Sequence, residues 1–583
     1  MEAMDVEARW PRRRILQLLT AAGVGNAVFA RAFAALAEEA PRVTAAMIER
    51  AEWIAGVELT PEERELMLEG VNELVAAYET NRLVEIDNGV APALVFQPVT
   101  PRPHVEPVEA VPTTAGTEPG RPESDVDLAF APVSQLAALL RTRQVSAVEL
   151  TRLYLERLER LDPRLRCVIT LTPELALEQA ERADREIAHG HYRGPLHGVP
   201  WGAKDLLAVP GYPTTWGAMP YKDQVRPDKA TVVSRLEDAG AVLAAKLTLG
   251  ALAWGDVWFG GTTKSPWNLE QGSSGSSAGS ASAVAAGLVG FAIGTETWGS
   301  IVSPATRCGA TGLRPTFGRV SRHGAMALSW SMDKIGPLAR SVEDCALVFA
   351  AVAGADGLDD AAVDGPFRWP WGRDLRTIRV GYAAALFEED RAAAVEGEEE
   401  KALAREWQEL DLRTLEVLRS LGIEPVPISL PERYPVESLS FILTAEAACA
   451  FDELTRSGRD DLLVRQVARA WPNEFRQGQT IPAVEYLRAN RIRSLLMREM
   501  EERLAGVDVY VAPSYGGDNL LLTNLTGHPA VVLPNGFRAG DGTPTSITFM
   551  GRLHGESALL AVAHAYQQAT DFHLRRPPMA AEG

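Results

Sequence analysis

Serine and glycine cluster in this chain in a way that points to nucleophilic chemistry. Residues 272–280 read Gly-Ser-Ser-Gly-Ser-Ser-Ala-Gly-Ser, and residues 294–300 read Gly-Thr-Glu-Thr-Trp-Gly-Ser. A serine hydroxyl attacks a carbonyl only when a neighbouring base takes its proton, so the question is what surrounds these serines. Composition alone would make the first run a flexible linker. Apolar elements follow at once, however: a small-residue helix over 281–286 and a short buried strand over 288–293. The run therefore belongs to the core, and its glycines are expected where backbone approaches a ligand closely. Gly275-Ser276-Ser277-Ala278-Gly279 also fits the G-x-S-x-G nucleophile elbow. That elbow needs a strand immediately before it, and the preceding Pro266-Trp267-Asn268 reads as polar loop. His323, His528 and His554 lie in no distinctive setting, so the elbow is set aside.

The elements around these segments alternate. Residues 145–161 form a helical pattern with Leu150, Leu153, Tyr154, Leu155 and Leu158 apolar; 200–207 reads as a strand entering a loop, and 241–247 as a second strand after a helix ending near Gly240. A charged helical stretch spans 388–421. Alternation of this kind predicts an α/β fold, a large central mixed sheet covered by helices on both faces. The catalytic domain is placed at 128–583. Before it, 97–127 is rich in Pro, Thr and Gly and reads as a linker or surface strap. Residues 38–96 form a small helical segment, in which Thr60-Pro61-Glu62-Glu63 is a helix start with a capping box and Met67, Val71, Leu74, Val75 and Tyr78 share a face.

The N-terminus carries Arg12-Arg13-Arg14, then a short apolar run and small-x-small patterns ending at Ala37. A charged start, apolar centre and small-residue end describe a signal peptide over 1–37, here of the twin-arginine type, and predict an exported protein; without export the protein is cytoplasmic. No later stretch is long and apolar enough for a stable membrane span. The net charge of −19, with no Lys/Arg-rich block beyond the N-terminus, disfavours nucleic acid as a partner. Cys167, Cys308, Cys345 and Cys449 are far apart with no C-x-x-C pair, which argues against a zinc site or disulfide framework and predicts four buried free thiols.

Three blocks resemble the amidase signature family: Gly194-Pro195-Leu196-His197-Gly198-Val199-Pro200 running to Lys204-Asp205; Gly275-Ser276-Ser277-Ala278-Gly279-Ser280; and residues 294–300 continuing through Cys308-Gly309 and Gly312-Leu313-Arg314-Pro315-Thr316. Similarity extends to Asp333-Lys334-Ile335-Gly336-Pro337, to residues 524–529 and to Gly551-Arg552, over roughly 128–578. The resemblance implies a Ser300–Ser276–Lys204 triad needing neither metal nor cofactor. Ser300 is then the nucleophile, Ser276 the bridging serine on a cis peptide bond, and Lys204 the base. The backbone N–H groups of Thr297, Trp298, Gly299 and Ser300 form the oxyanion hole. For that role Lys204 must be neutral, through burial or nearby positive charge.

Departures from the family pattern bear on the substrate. Trp298-Gly299 stands where two glycines are common, Val302 where an arginine is common, and Glu296 where Asp is usual. Val302 in place of a cation, with Trp254, Trp258, Phe259 and Trp298 near the site segments, points to a neutral or apolar small-molecule amide, and Trp254, Trp258, Ser277 and Val302 are the expected pocket residues. The resemblance leaves three rivals open. One is a glutamine-hydrolysing amidase subunit of a tRNA-dependent amidotransferase; another is ester or carbamate cleavage by the same triad. The third is a non-catalytic binding protein on the same scaffold. A homodimer is an open arrangement.

Overall fold

The computed structural model describes residues 42–87, 90–94, 108–112 and 119–579. The signal read over 1–37 lies outside the described residues. The chain divides into two compact units, with the boundary between Ala76 and Ala77, inside the helix Pro61–Arg82.

In the first unit, the helix Ala45–Ala55 and the start of Pro61–Arg82 enclose Ile48, Met67 and Val71. The capping box forms: Thr60 N–H donates to Glu63 Oε2 at 2.7 Å, and Glu63 N–H donates to Thr60 Oγ1 at 3.2 Å. Two donors that the first helical turn leaves unpaired are thereby satisfied. Asn72 joins the two ends of the unit, donating to Val43 O at 3.1 Å and accepting from Val43 N–H at 3.0 Å.

Among the described residues, the central sheet of the second unit has eleven strands. In chain order they are β1 (Val168–Leu171), β2 (Pro200–Lys204), β3 (Val242–Leu247), β4 (Phe291–Glu296), β5 (Thr311–Arg314), β6 (Lys334–Ala339), β7 (Val380–Ala383), β8 (Val426–Ile428), β9 (Val509–Pro513), β10 (Ala530–Phe537) and β11 (Pro544–Gly551). Their order across the sheet is β8-β7-β9-β11-β10-β5-β6-β4-β2-β3-β1. The sheet is mixed: β2 is parallel to both neighbours, β3 and β4, whereas β6 is antiparallel to β4 and β5. Every residue of β2, β3, β4 and β6 is buried. Successive side chains on a strand point to opposite faces, so burial of all of them means that both faces are covered. The expected α/β architecture is the observed one.

Individual elements follow the sequence signals closely. The helix Ala147–Leu165 starts at Ser146, whose hydroxyl accepts from Glu149 N–H at 3.0 Å, and it buries Leu150, Tyr154, Leu155 and Leu158. The charged stretch forms the helix Glu398–Ser420. The strand expected over 288–293 instead runs Phe291–Glu296, because Thr295 and Glu296 are buried and hydrogen-bonded despite being polar. Asn268–Gly272, read as loop, is a strand in a separate two-stranded sheet with Lys264–Ser265, so a strand does precede Gly275, though not one of the central sheet. Within the stretch read as linker, Val108–Ala110 pairs in parallel with Phe367–Trp369. Cys167, Cys308 and Cys345 are buried, but Cys449 is exposed, which corrects the expectation of four buried thiols. It sits near the end of the helix Phe441–Ala450, whose buried residues Phe441, Ile442, Glu446, Ala447 and Ala448 lie on other positions. Among the described residues no helix is long and apolar enough to cross a membrane.

Candidate active site

Because β2 and β4 are adjacent and parallel, their C-terminal ends meet. Lys204 is the last residue of β2, and Thr295 and Glu296 close β4. The serine-rich run descends onto this edge from the buried helix Ala278–Ala285. Three bonds seat it: Ser280 Oγ donates to Ile293 O at 3.0 Å, Gly279 N–H to Thr248 O at 3.0 Å, and Ser277 N–H to Ser300 O at 3.1 Å. The glycines of the run lie close to other parts of the chain: a Cβ on Gly272 would meet Asp256 Oδ2 at 2.1 Å. A Cβ on Gly275 would lie 1.8 Å from Gly255 O, and one on Gly279 2.3 Å from Cys167 O. Helix and sheet can close on one another only where no side chain intervenes.

Lys204 Nζ lies at the centre of this junction. It donates to Ser276 Oγ at 2.8 Å, to Thr295 Oγ1 at 2.8 Å and to Ser277 Oγ at 3.1 Å, with Thr295 O at 3.4 Å. Ser276 follows a cis peptide bond from Gly275. Among the described residues no carboxylate pairs with the lysine. Its sequence neighbour Asp205 is engaged by Lys246, 2.6 Å away and equally buried, and by the Thr215 amide at 2.8 Å. Burial disfavours the ammonium form, and the more distant Asp333 and Glu296 only partly offset this, so the Lys204 pKa falls from 10.5 to about 7.

The second serine segment leaves β4 as a turn, 297–300, and enters the helix Val302–Cys308. Ser300 is 8% exposed. Gly299 takes φ 85°, a left-handed conformation that glycine adopts without strain. Among the described residues, none accepts a hydrogen bond from the backbone N–H groups of Thr297, Trp298, Gly299 or Ser300. The turn is braced from below. Glu296 Oε2 accepts from the amides of Ile301 and Val302 at 2.8 and 2.9 Å, while its Oε1 accepts from Arg314 Nη1 at 2.6 Å and Asn524 Nδ2 at 2.9 Å. Burial opposes ionisation of Glu296, but Arg314 and these donors outweigh it and hold the carboxyl down at about 2.

A pocket of about 490 Å³ opens beside Thr295 and Thr297. Leu206, Met326, Leu328 and Ile335 supply apolar wall, and Trp330, 48% exposed, also lines it. Arg322 lines it too, with both carboxylate oxygens of Asp359 bound at 2.9 and 3.0 Å. The sequence-predicted residues thus divide. Lys204, Ser276 and Ser277 come together, and the Ser277–Ser300 backbone bond ties in the turn carrying Thr297, Trp298, Gly299 and Ser300. Of the sequence-predicted site residues Thr297 alone lines the pocket; Lys204, Ser276, Ser277 and Ser300 are not among its lining residues, nor are Trp254, Trp258 and Val302. Trp254 faces Arg465, 4.7 Å from its ring; Trp258 packs on Phe259; and Val302 is buried at the start of its helix. Sequence reasoning missed Thr295, which bonds the lysine, and the wall residues Arg322, His323 and Trp330. Thr295 had one signal, a hydroxyl side chain inside the third family block.

Known proteins carry the same plan. A family model described as Amidase matches residues 149–522. A glutamyl-tRNA(Gln) amidotransferase subunit of Methylococcus capsulatus is 36% identical over 484 residues, 76% of this chain and 98% of that protein. The corresponding subunit from Marinomonas sp. is 35% identical over 486 residues, 77% of this chain and 98% of its own length. The solved structure of native peptide amidase from Stenotrophomonas maltophilia has a TM-score of 0.66 and 32% identity, covering 78% of this chain and 99% of that one. The chain belongs to the amidase signature family and is a hydrolase of carboxamide C–N bonds.

Proposed function

We propose that this amidase works through an acyl-enzyme on Ser300. Neutral Lys204 takes the proton of Ser276 as Ser276 takes that of Ser300, and the Ser300 oxygen attacks the amide carbon. The amides of turn 297–300 hold the oxyanion, Lys204 returns the proton through Ser276 to the leaving amine, and water then releases the carboxylate by the same route. The observation that carries this reading is the buried Lys204 Nζ, 2.8 Å from Ser276 Oγ, with a pKa brought to about 7. An amide-library screen with Ser300→Ala as the blank tests it, together with mass analysis of a serine probe. Turnover by Ser300→Ala, or a label elsewhere, would sink it.

The substrate we infer is a neutral or apolar amide. Support comes from the apolar wall and from the pairing of Arg322 with Asp359, which leaves that cation occupied. Preference for carboxylate-bearing amides in side-by-side assays would overturn this. A second reading is favoured by the relatives named as amidotransferase subunits: a glutamine-hydrolysing subunit with partners. Glutaminase activity with co-purifying subunits would establish it in place of the first.

Export belongs to the same proposal, resting on Arg12-Arg13-Arg14 and the small-residue patterns before Ala37. So do the divisions 38–96, 97–127 and 128–583. Cell fractionation of the wild type and of a double Arg12→Lys, Arg13→Lys variant tests export; equal distribution of the two would reject it.

A further inference from the structure

Asp333 stands between two segments that the hydrolytic reading needs in fixed relation. Its Oδ1 accepts the hydroxyl of Thr297 at 2.6 Å, at the first residue of turn 297–300. Its Oδ2 accepts the amides of Leu328 at 2.8 Å and Ser329 at 2.9 Å, in the loop that carries Trp330 into the pocket wall. That loop is fastened from its other side. Buried Glu446 accepts from Ser329 Oγ at 2.6 Å, Ser331 N–H at 3.0 Å, Ser331 Oγ at 2.7 Å and Tyr486 Oη at 2.9 Å. Arg493 adds bonds to Ser331 Oγ at 2.7 Å and Ser331 O at 2.8 Å. The turn is consequently held at both ends by a carboxylate: Glu296 grips the amides that follow it, and Asp333 grips its first side chain.

We propose that Asp333 is a positioning residue of this amidase, which keeps the amides of turn 297–300 aimed at the developing oxyanion by holding the Thr297 hydroxyl against the braced pocket loop. It makes no hydrogen bond to the Ser300 hydroxyl or to the Lys204 amine, on which its charge pulls only from a distance, and its bond into the turn runs through Thr297. Donors that stabilise a transition state must be in place before charge develops, because reorienting them during reaction costs part of what they contribute. A bond that fixes their direction acts on the chemical step more than on substrate binding. The inference rests on Ser300 being the nucleophile.

The test is Thr297→Val, which keeps the shape of the side chain and removes the hydroxyl, beside Thr297→Ser, which keeps the hydroxyl. Both are assayed in the full chain with 4-nitroacetanilide as the amide and phenylboronic acid as a tetrahedral adduct former on serine. Relative to Thr297→Ser, which keeps the hydroxyl, Thr297→Val should lower kcat about tenfold, leave KM within about twofold, and raise the phenylboronic acid inhibition constant about tenfold. Should the valine variant fail to fold, Thr297→Ala carries the same expectations. Unchanged kcat and inhibition constant, a loss confined to KM, or a loss that serine does not restore would each overturn the proposal. Retained turnover by Ser300→Ala would instead remove the reading beneath it, so the two failures are told apart.

Discussion

Lys204 is held where an ammonium ion is costly. Burial drops its pKa from 10.5 to about 7, against the pull of Asp333 and Glu296. Neutral lysine is the form that can take a proton, so kcat/KM should rise with pH through about 7 and then level; a profile flat from pH 5 to 9 would contradict this assignment. Stability should follow the same group. The unfolded chain keeps the lysine proton up to pH 10.5 and the folded chain loses it near 7, so between those values the unfolded state binds more protons and stability rises with pH. Lys204→Met should lower kcat by about 10³-fold and remove the acid limb. Glu296 is the other residue whose charge matters. Removing its buried partner with Arg314→Met leaves a carboxylate short of compensation and should cost about 3 kcal/mol in urea unfolding at pH 7. A cost under about 1 kcal/mol would mean that Asn524 and the two amides suffice.

At the scale of elements, the site is a product of strand adjacency. β2 brings Lys204 and β4 brings Thr295, and the two run parallel side by side. The helix Ala278–Ala285 can lie on them because β4 offers glycine where it passes Ser277. A Cβ on Gly294 would sit 2.7 Å from Ser277 Oγ and 2.6 Å from Leu338 Cδ1. Gly294→Ala should therefore destabilise by about 2 kcal/mol. It should also lower kcat, since Ser277 bonds the Lys204 amine at 3.1 Å. Loss of stability with kcat untouched would show that the helix shifts without disturbing the lysine's neighbours. The Glu296 buttress works likewise through element ends: β4, β5 and the helix Asn519–Thr526 deliver Glu296, Arg314 and Asn524 to one point.

Across the whole molecule, burial decides chemical accessibility. Three of the four thiols are enclosed and Cys449 is exposed, so a thiol reagent should titrate one group in the folded protein and four in denaturant. Two or more reacting in the native state would show that the interior opens on the assay's timescale. The sequence by itself determined the α/β class, the caps and faces of the long helices, and, through its motif blocks, which lysine and serines stand as candidates. These signals are local: a cap, a glycine or an apolar period acts within a few residues of chain. It did not determine the pocket wall. Trp254, Trp258 and Val302 are near the motif blocks in sequence yet do not line the pocket, whereas Met326, Trp330 and Asp359 do. Nor did it reveal the true extent of β4, whose polar end is buried because Lys204, Arg314 and Asn524 meet it from distant segments. Those neighbours are chosen by the order of strands across the sheet, in which β6 enters between β5 and β4. Strand order arises from long-range closure of the chain, so only the tertiary structure could decide it.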